Sequence, residues 1–224
     1  MVGGFEHCQV SRDTWGVSSL KVLPSKREPR QNYHHGDLEL ALIEAATDLV
    51  RKNGPDHLSL RAVAQQVGVS PSAVYHYFPD KDELIHSLSE RLFEDLYHMQ
   101  EQALARIPGN SKRAATLRFR ELGRTYYLWA HKEPNLFRLM FGGYCKVRER
   151  GSHVDHEAFI MLSKCLDDLL ETGVISPQMR KYGELITWSC VQGASTLIVE
   201  GHLPEGAFEA LLKGLELSMK AVGK

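Results

Sequence analysis

The chain has no apolar run near the roughly 20 residues that a membrane-spanning helix requires. It contains no C-x-x-C pair, no G-x-S-x-G, no H-E-x-x-H and no glycine-rich phosphate loop. These absences argue against an integral membrane protein and against the familiar nucleophilic, zinc-dependent and nucleotide-using enzymes. The opening residues have no secretory-type apolar stretch, so a cytoplasmic location is expected. Cysteine is sparse: Cys8, Cys145, Cys165 and Cys190 are scattered along a chain long enough to build a core without staples, and reduced structural thiols are expected. Excess charge of either sign is also missing, with a net charge of −1 over 224 residues. A non-specific architectural DNA-binding protein wants positive charge throughout, so that class is disfavoured.

The near-neutral total hides an uneven distribution. Residues 21–30 carry four basic residues against one acidic, whereas residues 31–86 carry four against eight. Residues 106–150 carry eleven basic against three acidic, and the stretch from 151 onward carries six against ten. Residues 1–30 show no sustained periodicity and read as a disordered arm with a basic end that includes Arg30.

From Asp37 onward the periodicity is helical, with no credible strand or hairpin signal and no repeat of solenoid length. Leu38, Leu42, Ala45 and Leu49 mark a first helix, with Asp37 as its expected N-cap and Gly54 as its stop. Ser59 caps a short second helix that Gly68 ends. Ser70 caps a third, with Pro71 in its first turn, where a missing N–H costs nothing. Pro79 breaks that helix, and Asp80 with Glu83 opens a fourth in capping-box register. Further on, Ala115, Phe119, Leu122, Tyr126 and Trp129 form one helix face. This stripe reads as core or as a pocket wall, with core the more ordinary outcome. Pro134 starts a short helix, Ser152 and Asp155 open the next, Ser176-Pro177 a long one, and Pro204 the last. The fold class expected is all-α, with about nine helices: a three-helix helix-turn-helix domain over residues 31–85 and a helical bundle over 86–224.

The stretch 58–78 is the most informative. Two short helices meet through a turn containing Gly68, the spacing of a helix-turn-helix. The second helix begins with Ser70, Pro71, Ser72 and Ala73, all short and uncharged, as a helix entering the major groove requires. Tyr75, His76 and Tyr77 follow, with groups able to donate to phosphates. No acidic residue lies between His57 and Pro79, while Asp56 and Asp80 flank the stretch. An acid-free surface is what phosphate contact demands.

Tyr33-His34-His35-Gly36-Asp37-Leu38, Leu58-Ser59-Leu60-Arg61-Ala62-Val63-Ala64, Gly68-Val69-Ser70 and Val74-Tyr75-His76-Tyr77-Phe78-Pro79-Asp80-Lys81 closely resemble the DNA-binding domain of the TetR family of transcriptional regulators. The resemblance covers residues 33–85. It implies that Arg61 and Lys81 contact phosphates, that Ser70, Pro71, Ser72 and Ala73 face bases, that Tyr75 and His76 grip the backbone, and that Ser59 lies near a phosphate. It also places His34 at the entry to the first helix, near phosphate. More weakly, Tyr127-x-Trp129-Ala130-x5-Leu136-Phe137-x-Leu139-Met140-Phe141 and Trp188-x3-Gln192-Gly193 resemble the C-terminal domain of one subgroup of that family. The subgroup usually shows His-Gly where Gln192-Gly193 stands, and Gln cannot titrate.

The resemblance implies a sequence-specific DNA-binding regulator, here expected to be a repressor released by a small molecule. It implies a pocket walled by Tyr126, Trp129, Phe137, Met140, Phe141 and Trp188, with Gln192 as the polar anchor, for a small, largely apolar effector with one polar group. Movement of the fourth helix would carry the signal to DNA. A palindromic operator requires a homodimer. The last two helices offer Phe208, Leu211, Leu212 and Leu215, with small residues at Gly193, Ala194 and Ser195, for a four-helix bundle between copies. The alternative is that this stripe packs only within one chain.

No cofactor is expected. His153 and His156 flank Asp155, yet no third metal ligand is apparent, and a solvated helix start is the plainer reading. Arg113, Arg120 and Arg124 lie opposite the aromatic stripe and read as a solvated face balanced by the acidic C-terminal helices. An all-helical enzyme would need convergent catalytic groups. Asp167, Asp168 and Glu171 look instead like one exposed helix side.

Overall fold

A computed structural model describes residues 35–144 and 157–221, and side chains over 37–144 and 159–220. Arg30 and His34, the arm over 1–30, and Ser152, His153, Asp155 and His156 lie outside these residues. The described residues form nine α-helices and one 3-10 turn, with no strand. They are α1 His35–Asn53, the turn Pro55–His57, α2 Leu60–Val67, α3 Pro71–Tyr77 and α4 Lys81–Ala105. They continue with α5 Lys112–Lys132, α6 Pro134–Phe141, α7 Glu157–Glu171, α8 Pro177–Val199 and α9 Ala207–Ala221.

The local sequence explains most boundaries. Ser59, Ser70, Ser111 and Ser176 each cap a helix by accepting from the backbone N–H three residues on, as does Asp80 at 2.8 Å from the Glu83 N–H. Gly68 ends α2 with φ of +78°, the left-handed region that glycine enters at no steric cost. Two starts differ from expectation. Asp37 lies inside the first turn of α1 rather than at its cap, where its charge still complements the helix dipole. Pro204 precedes the last helix by a turn, because residues 204–206 close the connection from α8 before α9 begins.

Two buried clusters hold the molecule together. In the first, Leu42, Ala46 and Val50 of α1 meet Leu60, Val63 and Ala64 of α2, Val74 of α3 and Phe78 just beyond it. Leu84, Ile85 and Leu88 at the start of α4 close this group. Phe78 is 1% exposed, and burying a side chain of its size contributes about 1.5–3 kcal/mol. The same cluster runs on into Trp129, Leu136, Phe137 and Phe208, so packing is continuous past residue 85 and α4 passes through the expected boundary. The second cluster joins Phe119 and Leu122 of α5 to Leu162 and Leu166 of α7, Met179 of α8 and Met219 of α9. α7 and α8 approach closely at Gly183, where an added Cβ would sit 3.0 Å from the Leu166 side chain.

Candidate nucleic-acid interface and internal pocket

α2 and α3 present a short helical pair whose inner faces are consumed by the core. On α3, Val74 is buried, and Pro71, Ser72, Tyr75 and His76 are exposed along one face, with Tyr75 48% exposed. Ser70 is exposed at the cap, Ala73 is half-buried, and Arg61 is exposed on α2. Lys81 is the first residue of α4, at the end of that helix where free backbone N–H groups and the dipole favour an anion. Tyr77 is placed differently from Tyr75 and His76. It is half-buried against the first cluster, edge-on to the His76 ring at 5.6 Å, because its position three residues after Val74 faces the core. The acids that bracket the acid-free stretch are both engaged. Asp80 caps α4, and Asp56 accepts from the Tyr144 hydroxyl at 2.8 Å. That bond holds the Tyr144 phenol above its ordinary range.

Helices α4–α8 line a partly open cavity of about 70 Å³. α4 contributes Phe93, Leu96 and Gln100 to its wall; α5 contributes Phe119, Leu122, Gly123 and Tyr126. Phe141, Phe159 and Leu162 close one side, and Thr187, Trp188 and Val191 of α8 close another. Among the described residues, none in the wall carries a charge. Phe159 and Trp188 meet edge-to-face at 6.2 Å.

The wall has few polar atoms. Tyr126 donates its hydroxyl to Gln192 Oε1, and burial pushes this phenol well above the ordinary tyrosine range. Gln100 donates from Nε2 to the Leu122 carbonyl at 3.5 Å. Gln100 Oε1 and Thr187 Oγ1 are buried without a hydrogen-bond partner. Such atoms are uncommon in folded proteins, since each carries a desolvation penalty of about 1–3 kcal/mol.

Residues 42–88 match the family described as "Bacterial regulatory proteins, tetR family", and residues 119–215 match "Tetracyclin repressor-like, C-terminal domain". The chain belongs to the TetR family. Among solved structures, a protein of unknown function from Rhodococcus sp. RHA1 is similar at 26% identity, with a TM-score of 0.69 over 85% of this chain and 97% of that one. The transcriptional regulator FadR from Bacillus subtilis, solved with stearoyl-CoA, shares the fold at a TM-score of 0.63 and 14% identity, over 82% of this chain and 98% of that one. Among curated proteins, the nucleoid occlusion factor SlmA from Haemophilus influenzae is 28% identical over 93 residues, which span 41% of this chain and 39% of SlmA. The chain is thus a TetR-family DNA-binding transcriptional regulator, built on the TetR-like all-α fold.

Of the residues expected to wall a ligand pocket, Tyr126, Phe141 and Trp188 line this cavity. Trp129, Phe137 and Met140 do not. They are buried one layer back, where Phe137 meets Tyr126 at 6.3 Å and Phe141 at 5.2 Å between ring centres. All three belong to the first cluster rather than to the cavity wall. Gln192 is not in the wall either, and its carbonyl oxygen is occupied by the Tyr126 hydroxyl. The stripe Ala115–Trp129 turns out to be both core and wall: Phe119, Leu122 and Tyr126 touch the cavity, and its two ends do not. Gln100 and Thr187 went unpredicted. A signal existed for Gln100, which follows Phe93 and Leu96 at i+7 and i+4, a polar residue on an apolar helix face.

The expected dimer stripe needs a correction. Phe208, Leu212 and Leu215 are buried within the chain, with Phe208 stacked on Tyr127 at 4.2 Å, and Leu211 is half-buried against the same core. These are the inward positions of α9. The outward positions of α8 and α9 instead expose Tyr182, Leu185, Ile186, Leu197 and Leu217, with Leu185 68% exposed. An added Cβ on Gly193 or Gly214 would meet nothing within 4 Å.

Several arginines of the basic segment are paired. Arg120 bonds Glu216, Arg124 forms two bonds of 2.8 Å with Glu209, and Arg118 meets Asp168 at 2.8 Å. Asp167 pairs with Arg180 at 2.6 Å. Among the described residues, no cluster of three or more His, Cys, Asp or Glu is placed to hold a metal ion. No helix among them is long and apolar enough to cross a membrane.

Proposed function

We infer that this regulator is a cytoplasmic, homodimeric repressor that binds a palindromic operator and releases it when a small molecule enters the internal cavity. The observation that carries the reading is the exposed, acid-free face of α2 and α3, joined by the continuous helix α4 to a cavity whose described wall residues are uncharged. In this reading Ser70, Pro71, Ser72 and Ala73 meet base edges. Arg61, Lys81, Tyr75 and His76 hold phosphates, while Tyr77 acts by fixing α3 against the core.

The dimer forms through the outward faces of α8 and α9. Leu185, Ile186, Leu197 and Leu217 supply apolar area, and Gly193 and Gly214 permit close approach of the partner helices. Two routes carry the ligand signal. α4 holds Phe93, Leu96 and Gln100 at the cavity and begins at Lys81 beside the recognition helix. The second runs through α6, whose Phe141 touches the cavity. There Asn135 donates to the Arg51 carbonyl at 3.1 Å, and the neighbouring Glu133 accepts from Arg51 at 2.9 Å. These bonds end on α1 of the helix-turn-helix unit. Outward movement of α4 or α6 changes the separation of the two recognition helices, and the dimer no longer fits its half-sites. Coupling is reciprocal, so DNA weakens the ligand by the same factor, typically about 1–3 kcal/mol.

Selection of fragments from random DNA, followed by gel-shift titration, tests the reading. A recovered palindrome bound far more tightly than random DNA supports it, and equal affinity for both refutes it.

A further inference from the structure

We propose that the internal cavity takes an uncharged, largely apolar molecule that donates a hydrogen bond to Gln100 Oε1 and exchanges one with Thr187 Oγ1, and that it rejects carboxylates of similar shape. The proposal rests on the reading that this cavity is the effector site.

The polarity at Gln100 is fixed by its neighbour. The Leu122 carbonyl only accepts, so the amide nitrogen of Gln100 faces it, which leaves Oε1 as a buried acceptor without a partner on a residue of the wall. Gln100 is 3% exposed and Thr187 is 5% exposed, so neither unpartnered atom is rescued by bulk water. Both belong to residues of the cavity wall. A ligand hydroxyl or N–H satisfies Gln100 by donating. Thr187 then either accepts from the ligand or donates to it. Gln192, the other amide near this site, is already occupied by Tyr126.

An anion meets the opposite environment. Among the described residues the wall holds no Lys, Arg or His, and a buried carboxylate without a cation is heavily penalised. Gln100 Oε1 would face it acceptor to acceptor. The arginines of α5 offer no relief, because Arg118, Arg120 and Arg124 are engaged by Asp168, Glu216 and Glu209 on other faces of that helix.

The experiment uses the full chain without DNA and three one-ring probes: phenol, toluene and benzoate. Calorimetry gives each affinity in the native protein, in Gln100→Leu and in Thr187→Val. Phenol and toluene share size and shape, so the ratio of their affinities reports the hydrogen bonds. Native protein is expected to bind benzoate at least about 100-fold more weakly than phenol. Gln100→Leu is expected to shift the phenol-to-toluene ratio about tenfold towards toluene, with Thr187→Val shifting it in the same direction. A merely structural role for these residues would move both affinities together. Benzoate binding as tightly as phenol, an unchanged ratio in Gln100→Leu, or no binding of any probe would each overturn the proposal. Gel-shift titration in the presence of phenol addresses the effector reading separately. Binding with the expected selectivity but unchanged DNA affinity supports the ligand class and sinks only the effector reading.

Discussion

Thr187→Val is a perturbation whose sign is informative. Thr187 lies on α8 in the cavity wall, 5% exposed, with its hydroxyl buried and unpartnered. Valine keeps the β-branched shape and the helix propensity of threonine and replaces the hydroxyl with a methyl group. An unsatisfied buried hydroxyl costs about 1–3 kcal/mol. Removing it should therefore stabilise the protein, by about 1–2 kcal/mol once imperfect packing of the methyl group is allowed for. For a chain of this size that is a rise in Tm of about 2–8 °C. Thermal unfolding by circular dichroism, at fixed protein concentration because a dimer's Tm depends on it, measures the shift. The stabilisation should come with weaker phenol binding, the trade expected where a site keeps a strained polar group for its ligand. A loss of 1 kcal/mol or more would refute the reasoning, because it would mean that the hydroxyl has a partner in the folded protein.

Arg61→Ala should weaken binding to every DNA sequence and flatten the dependence on log salt by about one unit, measured by gel shift across a salt series. Ser72→Ala should instead change which sequence is recovered from random DNA, with binding to random fragments unaltered. Leu185→Glu should convert the dimer to monomer in sedimentation with helicity intact, whereas Leu212→Asp should lose helicity, since its side chain is 3% exposed in the core; a native-like dimer in both would refute the assigned faces. Cys165, whose thiol burial pushes up to about 12, should resist thiol reagents at pH 8 in native protein and react on unfolding. Glu133→Ala, which removes the contact with Arg51 at the end of α1, should reduce the effect of a bound ligand on DNA affinity while leaving either affinity alone within a few fold.

Local signals carried the N-terminal half. Ser59, Ser70 and Asp80 cap helices through bonds to residues three positions away, Gly68 supplies the left-handed turn that ends α2, and Pro71 and Pro79 bracket α3. Each of these acts within a few residues, so the chain's order alone specifies it, and the acid-free run 57–79 is likewise a property of order. The start of α9 escaped because Pro204 is equally at home in the turn that precedes a helix. The inward and outward faces of α9 escaped for a different reason. Periodicity says that Phe208, Leu212 and Leu215 share a side of the helix, but not whether that side meets the same chain or another copy. Burial against Tyr127 and its neighbours decided it. The cavity is the strongest case. Its wall draws on α4 through α8, with residues from Phe93 to Val191. Trp129 and Tyr126 lie three apart on one helix, yet only Tyr126 touches the cavity. Helix spacing fixes which residues point the same way along one helix; only the packing of five helices fixes where a gap remains among them. That packing also left Gln100 and Thr187 at the gap without partners.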